Sequence, residues 1–249
     1  MNAELYARTH RGNVGDAAFY RGLCRGAKRV LELGSGSGRL LLALAAAKRE
    51  LVGLELDPGL LALAKRNLRA LPPSKRKSTR LIQADMRDFA LPQRFERVLL
   101  PYNALYCLLS KRAALACFRA ARRALHPGGV FALDVWNAEP FARSSTRDDA
   151  AHDDIEPVVT VHHAGRTWDV FEQSRVRRAQ QRLDVNYTYL PREGGAAVRI
   201  PIAQRYYRPA EISELLERAG FAIEARYGDF SGRRFTQRSE QLIVIARGL

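Results

Sequence analysis

Apolar and polar positions fall into two regimes along this chain. Between residues 28 and 136 short apolar runs alternate with longer stretches of helical period. The runs 30–33, 50–55, 80–84, 95–100 and 130–135 read as buried strands. The stretch 40–47, the segment from Asp57-Pro58 to the breaker Pro72-Pro73, and 113–125 read as helices, the last closed by a turn at His126-Pro127-Gly128-Gly129. An earlier helix is expected over 16–24, with Asp16 as its N-cap and Phe19 and Leu23 on one face. Strands and helices alternating at this spacing imply parallel strands joined by right-handed crossovers, a doubly wound α/β sheet whose ligands sit outside the carboxyl ends of the strands.

From residue 137 to about 207 the helical period fades. Alternating segments at 158–163, 167–176, 183–190 and 197–206, separated by Ala164-Gly165 and Glu193-Gly194-Gly195, predict an inserted antiparallel β subdomain. The acid-rich stretch 148–154 is expected to be its mobile entry loop. A helix at 209–219, capped by Gly220, and strands at 221–227 and 241–246 then complete the first unit. The expected organisation is a core of 1–136 and 207–249 with an insert of 137–206.

A chain of 249 residues can bury a substantial core and needs no disulfide or metal staple. Its three cysteines, Cys24, Cys107 and Cys117, form no C-x-x-C pair, and no charged-then-apolar leader stands at the start. The longest apolar run, 40–47, is far short of the roughly 20 residues of a membrane helix. A soluble, cytoplasmic protein without a membrane partner is expected. The formal charge of +15 invites a nucleic-acid reading, but the 41 basic residues are mostly arginine and are scattered, with one tight run at Lys75, Arg76 and Lys77.

Candidate chemistry gathers at the strand ends. Residues 32–38, Glu-Leu-Gly-Ser-Gly-Ser-Gly, form a strand, a glycine turn and a helix start, where backbone amides and the helix dipole can hold a polar ligand. The dinucleotide spacing G-x-G-x-x-G would put its third glycine on Arg39 or Leu41, and a P-loop would need Lys after the last glycine. Neither a dehydrogenase nor a triphosphate site fits. The second, third and fourth strands end at Glu55, at Asp85-Met86 and at Pro101-Tyr102-Asn103, so three carboxylates, counting Glu32, and a polar pair share one edge. Glu55 lies 19 residues beyond Gly36, a spacing that lets a carboxylate accept from two ribose hydroxyls.

An acidic residue followed by G-x-G-x-G, together with residues 12–20 (GNVGDAAFY), 30–39 (VLELGSGSGR), 52–58 (VGLELDP), 83–89 (QADMRDF), 126–135 (HPGGVFALDV) and 226–230 (RYGDF), resembles the small bacterial methyltransferase-domain proteins of the class I S-adenosylmethionine-dependent family. That resemblance implies a Rossmann-like seven-stranded sheet with its last strand antiparallel, and S-adenosyl-L-methionine as cofactor. It implies a cofactor site of Glu32, Gly34, Ser35, Gly36, Glu55, Leu56, Asp85, Met86, Pro101 and Tyr102. Gly34 and Gly36 would line the methionine end, Glu55 the ribose and Asp85-Met86 the adenine, with Tyr20, and Tyr6 beside it, closing over the ligand.

Methyl transfer from a sulfonium depends mainly on positioning, and a base matters only when the acceptor arrives protonated. Tyr102, His126, His162, His163, Tyr206 and Tyr207 are the titratable candidates; Tyr102, just past the fourth strand, is the one assigned a catalytic role. The stretch Leu99-Leu100-Pro101-Tyr102 lacks the amide of the base-methylating motif Asn-Pro-Pro-Tyr, and no cysteine follows a proline. The expected substrate is therefore a small molecule methylated at nitrogen or oxygen, with RNA or protein as the alternative. The insert, with Trp168, Phe171, Tyr187 and Tyr189, is expected to cover the acceptor or to form a homodimer surface.

Overall fold

The computed structural model describes residues 2–46, 48–143 and 155–249; the entry loop expected at 148–154 lies outside them. The larger sheet has seven strands: β1 (Arg29–Leu33), β2 (Glu50–Glu55), β3 (Thr79–Gln83), β4 (Phe95–Leu100), β5 (Leu125–Trp136), β10 (Phe221–Tyr227) and β11 (Gln241–Gly248). Their order is β10-β11-β5-β4-β1-β2-β3, all parallel from β5 to β3, with β11 antiparallel to both its neighbours. Strand order therefore reverses between β1 and β4, which opens a crevice at their carboxyl ends. Helices α2 (Asp16–Leu23), α3 (Arg39–Ala43), α4 (Pro58–Arg69), α6 (Lys111–Ala124) and α8 (Pro209–Arg218) flank this sheet, and the short α5 (Pro73–Arg76) leads into β3.

Local chemistry explains the elements. Asp57 caps α4 by accepting from the Leu60 amide at 2.8 Å, and Pro58 supplies its first turn. In the centre of the sheet Gly53 faces α3 so closely that a Cβ there would lie 2.7 Å from Leu41 and 2.9 Å from the Ser35 hydroxyl. The missing side chain lets the glycine loop fold down onto β2.

Three expectations need correction. The helix expected at 40–47 is only five residues long, because Arg49 donates to the carbonyls of Leu44, Ala27 and Cys24 at 3.0, 3.2 and 2.6 Å and ties the chain back towards β2. Asp16 is the first residue of α2 rather than its cap; the cap position is Gly15, and the Asp16 carboxylate instead receives Arg39. Residues 126–129 are not a free turn. Phe95 pairs with Leu125 and Arg97 with Val130, so these four residues bulge opposite the single Glu96 while β5 continues.

The smaller sheet is an antiparallel meander of β6 (Glu156–His163), β7 (Arg166–Arg177), β8 (Arg182–Pro191) and β9 (Val198–Arg205). Its inner face buries Val161, Trp168, Val170, Tyr189 and Ile200 against Leu5 of helix α1 (Ala3–Thr9). The N-terminal helix thus packs on the smaller sheet. By contrast α7 (Ala138–Arg143), just past β5, packs on the main core through Phe141 and Ala142. Strand β9 runs beside the 3-10 turn Ala104–Cys107, which brings the smaller sheet to the carboxyl edge of the larger one.

Candidate active site

A cavity of about 840 Å³ opens at the crevice between β1 and β4, a size suited to a cofactor and a small acceptor. It is lined by Glu32, Gly34, Ser35, Gly36, Glu55, Leu56, Asp85, Met86, Pro101 and Tyr102, and on its far side by Tyr6, His10, Cys107, Leu108 and the edge of β9 at Pro201, Ile202 and Ala203. A second hollow of about 860 Å³ follows the outer strand β10, away from these strand ends.

The glycine loop is held open from below. The Glu55 carboxylate accepts the Gly36 amide at 2.7 Å and the Asp57 amide at 2.8 Å, so one side chain fixes both the loop and the start of α4. Gly34 and Gly36 have φ of +66° and +55°, a region that side chains disfavour. The Ser35 amide donates to the Leu54 carbonyl at 2.8 Å and the Gly38 amide to the Ser35 carbonyl at 2.8 Å, so the turn is fixed on β2 along the cavity wall.

Glu32 is the most informative group. It is buried, one of its carboxylate oxygens has no partner, and it faces the cavity. Burial pushes its pKa up to about 8, with Arg39 pulling it down and Glu55 adding to the rise. A buried carboxyl group with an orphaned oxygen fits a ligand that brings a positive charge. The Ser35 hydroxyl, also buried and unpartnered, adds a second polar atom at the same end. Asp85 at the other end is paired with its own neighbour Arg87 at 2.5 and 2.9 Å, which holds its pKa below the ordinary value.

Tyr20 does not line the cavity. It is fully buried, and its hydroxyl donates to Asp134 at 2.5 Å. The other oxygen of Asp134 accepts the Tyr102 amide at 3.0 Å and the Asn13 side chain at 3.5 Å. Residues 12–20 therefore act from behind the site: Asp16 grips Arg39 in two bonds of 2.9 and 2.6 Å, and Tyr20 holds Asp134, which holds the turn after β4. Gly12, at φ +88°, comes so near that a Cβ would sit 2.2 Å from the Arg39 guanidinium carbon. Tyr6, the other tyrosine expected over the ligand, is the one that reaches the cavity.

Tyr102 sits in that turn with φ +53°, beneath the Arg39 guanidinium at 5.6 Å. Burial raises its pKa, partly offset by the Gly12 amide and Arg39. The other proposed bases lie elsewhere. Tyr207 donates to the Leu108 carbonyl, Tyr206 packs edge-on to Phe141, and His162 meets Thr167 on the smaller sheet. Trp168 and Tyr189 pack the smaller sheet's own core, and only Tyr187 of the expected aromatic wall approaches the site, edge-on to His10 at 4.9 Å.

His10 belongs to none of the motifs that mark the site in the sequence. Its only signal is its position four residues after Tyr6, on the same helical face.

The comparisons with known proteins agree with this geometry. Residues 30–129 match the methyltransferase-domain family model. Cypemycin N-terminal methyltransferase from a Streptomyces species is 25% identical over 219 residues, covering 88% of this chain and 82% of that protein. The dTDP-3-amino-3,4,6-trideoxy-alpha-D-glucopyranose N,N-dimethyltransferase of Streptomyces venezuelae is 26% identical over 212 residues, covering 83% and 81%. The solved structure of the CcbJ methyltransferase from Streptomyces caelestis superposes with a TM-score of 0.79 at 27% identity, covering 94% of this chain and 88% of that one.

Proposed function

We propose that this chain, a class I S-adenosylmethionine-dependent methyltransferase acting on nitrogen or oxygen of a small molecule, methylates the nitrogen of an amine. The observation that carries the reading is the character of the cavity. Among the described residues both lining arginines are already neutralised, Arg39 by Asp16 and Arg87 by Asp85, so these offer no unpaired guanidinium to a phosphate backbone, and the far wall is aromatic and apolar. Such a site favours a compact acceptor, neutral or cationic, over a nucleic acid. Two of the relatives carry amine methylation in their names, one at a peptide N-terminus and one on an amino sugar.

In this reading Glu32 pairs with the α-ammonium of the cofactor, and Gly34 and the unpartnered Ser35 hydroxyl lie against its methionine end. Glu55 accepts the ribose hydroxyls with its remaining lone pairs. Asp85, Met86 and Leu56 hold the adenine, and Pro101-Tyr102 border the sulfonium. The cofactor supplies an electrophilic methyl group; these side chains orient it and keep water away. The smaller sheet, through the edge of β9, closes the acceptor end. Three free thiols, Cys24, Cys107 and Cys117, suit a reducing cytoplasm, and among the described residues no helix is long and apolar enough to cross a membrane.

The test offers methyl-labelled cofactor with three acceptors: a dTDP-linked 3-amino sugar, a short peptide with a free N-terminus, and transfer RNA. Label on the sugar or peptide amine, located by mass spectrometry, is the expected result. Transfer to the peptide would keep the nitrogen assignment and change the carrier. Transfer to RNA, or to a hydroxyl of the sugar, would overturn it.

We also assign a homodimer contact to the smaller sheet. Strand β6 pairs on one side only among the described residues and exposes Val158 and Val159, so a second copy can add its own β6 across the free edge. Sedimentation should then show a dimer that Val159→Lys converts to monomer. A monomeric parent protein would end this assignment.

A further inference from the structure

We propose that His10 is the general base of the reaction, taking a proton on Nε2 from the protonated amine acceptor. The proposal deepens the amine reading and rests on it.

The geometry is specific. His10 ends helix α1 and lines the same cavity as Glu32, Gly34 and Tyr102. Its Nδ1 lies 3.0 Å from the Tyr6 carbonyl oxygen. A carbonyl only accepts, so Nδ1 carries the hydrogen, and a neutral imidazole with Nδ1 protonated has a bare lone pair on Nε2. The ring is fixed on three sides. Tyr6 stacks on it at 4.0 Å and 16°, Tyr187 stands edge-on at 4.9 Å, and Tyr102 stands edge-on at 6.5 Å. Helix α1, the turn after β4 and strand β8 thus each supply one wall, and the imidazole cannot easily leave the cavity.

The charges around it favour a neutral ring. The facing groups are the three phenols, the Glu172 carboxylate on β7 beside Tyr187, and Arg39 beyond Tyr102; Arg8 and Arg11 share its own segment. Burial lowers the His10 pKa, and the bond to Tyr6 and the charge of Glu172 only partly restore it. A base must be unprotonated before it acts, and this one is at neutral pH. Of the other acidic groups lining the cavity, Glu32 is assigned above to the cofactor ammonium, Glu55 is held by two amides and Asp85 by Arg87, and the phenols of Tyr6 and Tyr102 keep their protons at neutral pH.

The step balances. The ammonium R–NH3⁺ gives one proton to Nε2, and the freed nitrogen lone pair forms the bond to the methyl carbon. The carbon–sulfur bond breaks with its electron pair going to sulfur, so the sulfonium becomes a neutral thioether and the positive charge moves to the N-methylated ammonium. The imidazolium then releases its proton to solvent.

The decisive variant is His10→Asn, whose amide nitrogen takes the place of Nδ1 and keeps the bond to Tyr6 while nothing replaces Nε2. With the dTDP-linked 3-amino sugar as probe, kcat is expected to fall about 100-fold or more, with cofactor affinity and thermal midpoint unchanged. The parent enzyme should lose kcat/KM only below the ordinary histidine range. In His10→Asn the value should instead climb tenfold per pH unit up to the amine's own pKa, because only the free amine reacts. A variant with the parent rate and pH profile would overturn the proposal. Nitrogen-15 spectra of labelled His10 supply a readout independent of the probe: an Nε2–H tautomer overturns it as well. If the parent enzyme methylates neither the sugar amine nor a peptide N-terminus yet His10 shows a bare Nε2, it is the amine reading that fails, and the base assignment falls with it.

Discussion

Glu32→Gln should raise the dissociation constant for S-adenosylmethionine by about 30-fold or more, since removing one member of a buried charged pair costs about 2–5 kcal/mol. The glutamine keeps the size and one hydrogen-bonding oxygen, so the loss isolates the charge. A pH signature accompanies it. The Glu32 pKa, pushed up to about 8, leaves the group protonated at neutral pH in the free protein, and pairing with an ammonium requires the carboxylate. Cofactor binding should release close to one proton at pH 7, and affinity should climb towards tenfold per unit up to about pH 8, then level off. Calorimetry in two buffers of different ionisation enthalpy reads the proton directly. In Glu32→Gln the release and the slope should vanish. Stability without ligand moves the other way. A folded-state pKa above the ordinary 4.5 means the folded chain binds this proton more tightly, so the contribution of Glu32 to stability falls as pH rises from 4.5 towards 8. The glutamine variant lacks that decline, and a parent-like slope in it would show that another group carries the titration.

Asp134→Ala should cost about 2–5 kcal/mol of folding stability, because the Tyr20 hydroxyl and the Tyr102 amide would each remain buried without an acceptor, at about 1–3 kcal/mol apiece. The charge itself is not required. An asparagine can offer its oxygen to the Tyr102 amide and its nitrogen to the Tyr20 hydroxyl, which rotates to accept, so Asp134→Asn should cost under about 1 kcal/mol. Denaturant midpoints of the two variants separate these outcomes, and equal losses would mean that the carboxylate acts through its charge. Turnover should follow stability in rank. The turn that Asp134 supports holds Tyr102 and Asn103 at φ of +53° and +60°, and a released turn shifts Tyr102 by enough to slow transfer by at least about tenfold.

The contrast between these two carboxylates marks what is legible in the chain. Glu32, Glu55 and Asp85 sit at or near strand ends, and apolar period plus a glycine loop locates strand ends within a residue or two. Their convergence follows from parallel topology alone. Tyr20 was legible as part of a motif but not in its direction. Its partner Asp134 lies 114 residues away, and no local pattern says that the α2 face carrying Tyr20 turns towards β5. His10 escaped for a related reason. Its wall of the cavity exists because α1 lies between the smaller sheet, where Leu5 fits among Val161, Trp168 and Tyr189, and α4, where Glu4 pairs with Arg66, a long-range placement that no local pattern shows. The short α3 has a different cause: helical period continues to residue 47, and the tertiary bonds of Arg49 override it.

The seating of α1 also decides how this scaffold can diversify. In the proposed arrangement the cofactor contacts come from the larger sheet, whereas the far side of the cavity is walled by β9 together with Tyr6 and His10. A lineage or a protein engineer seeking a new acceptor cannot swap residues 156–205 alone, because the incoming sheet would meet a helix shaped for another. The exchangeable module is discontinuous, 2–10 with 156–205, and its two pieces must be inherited or grafted together.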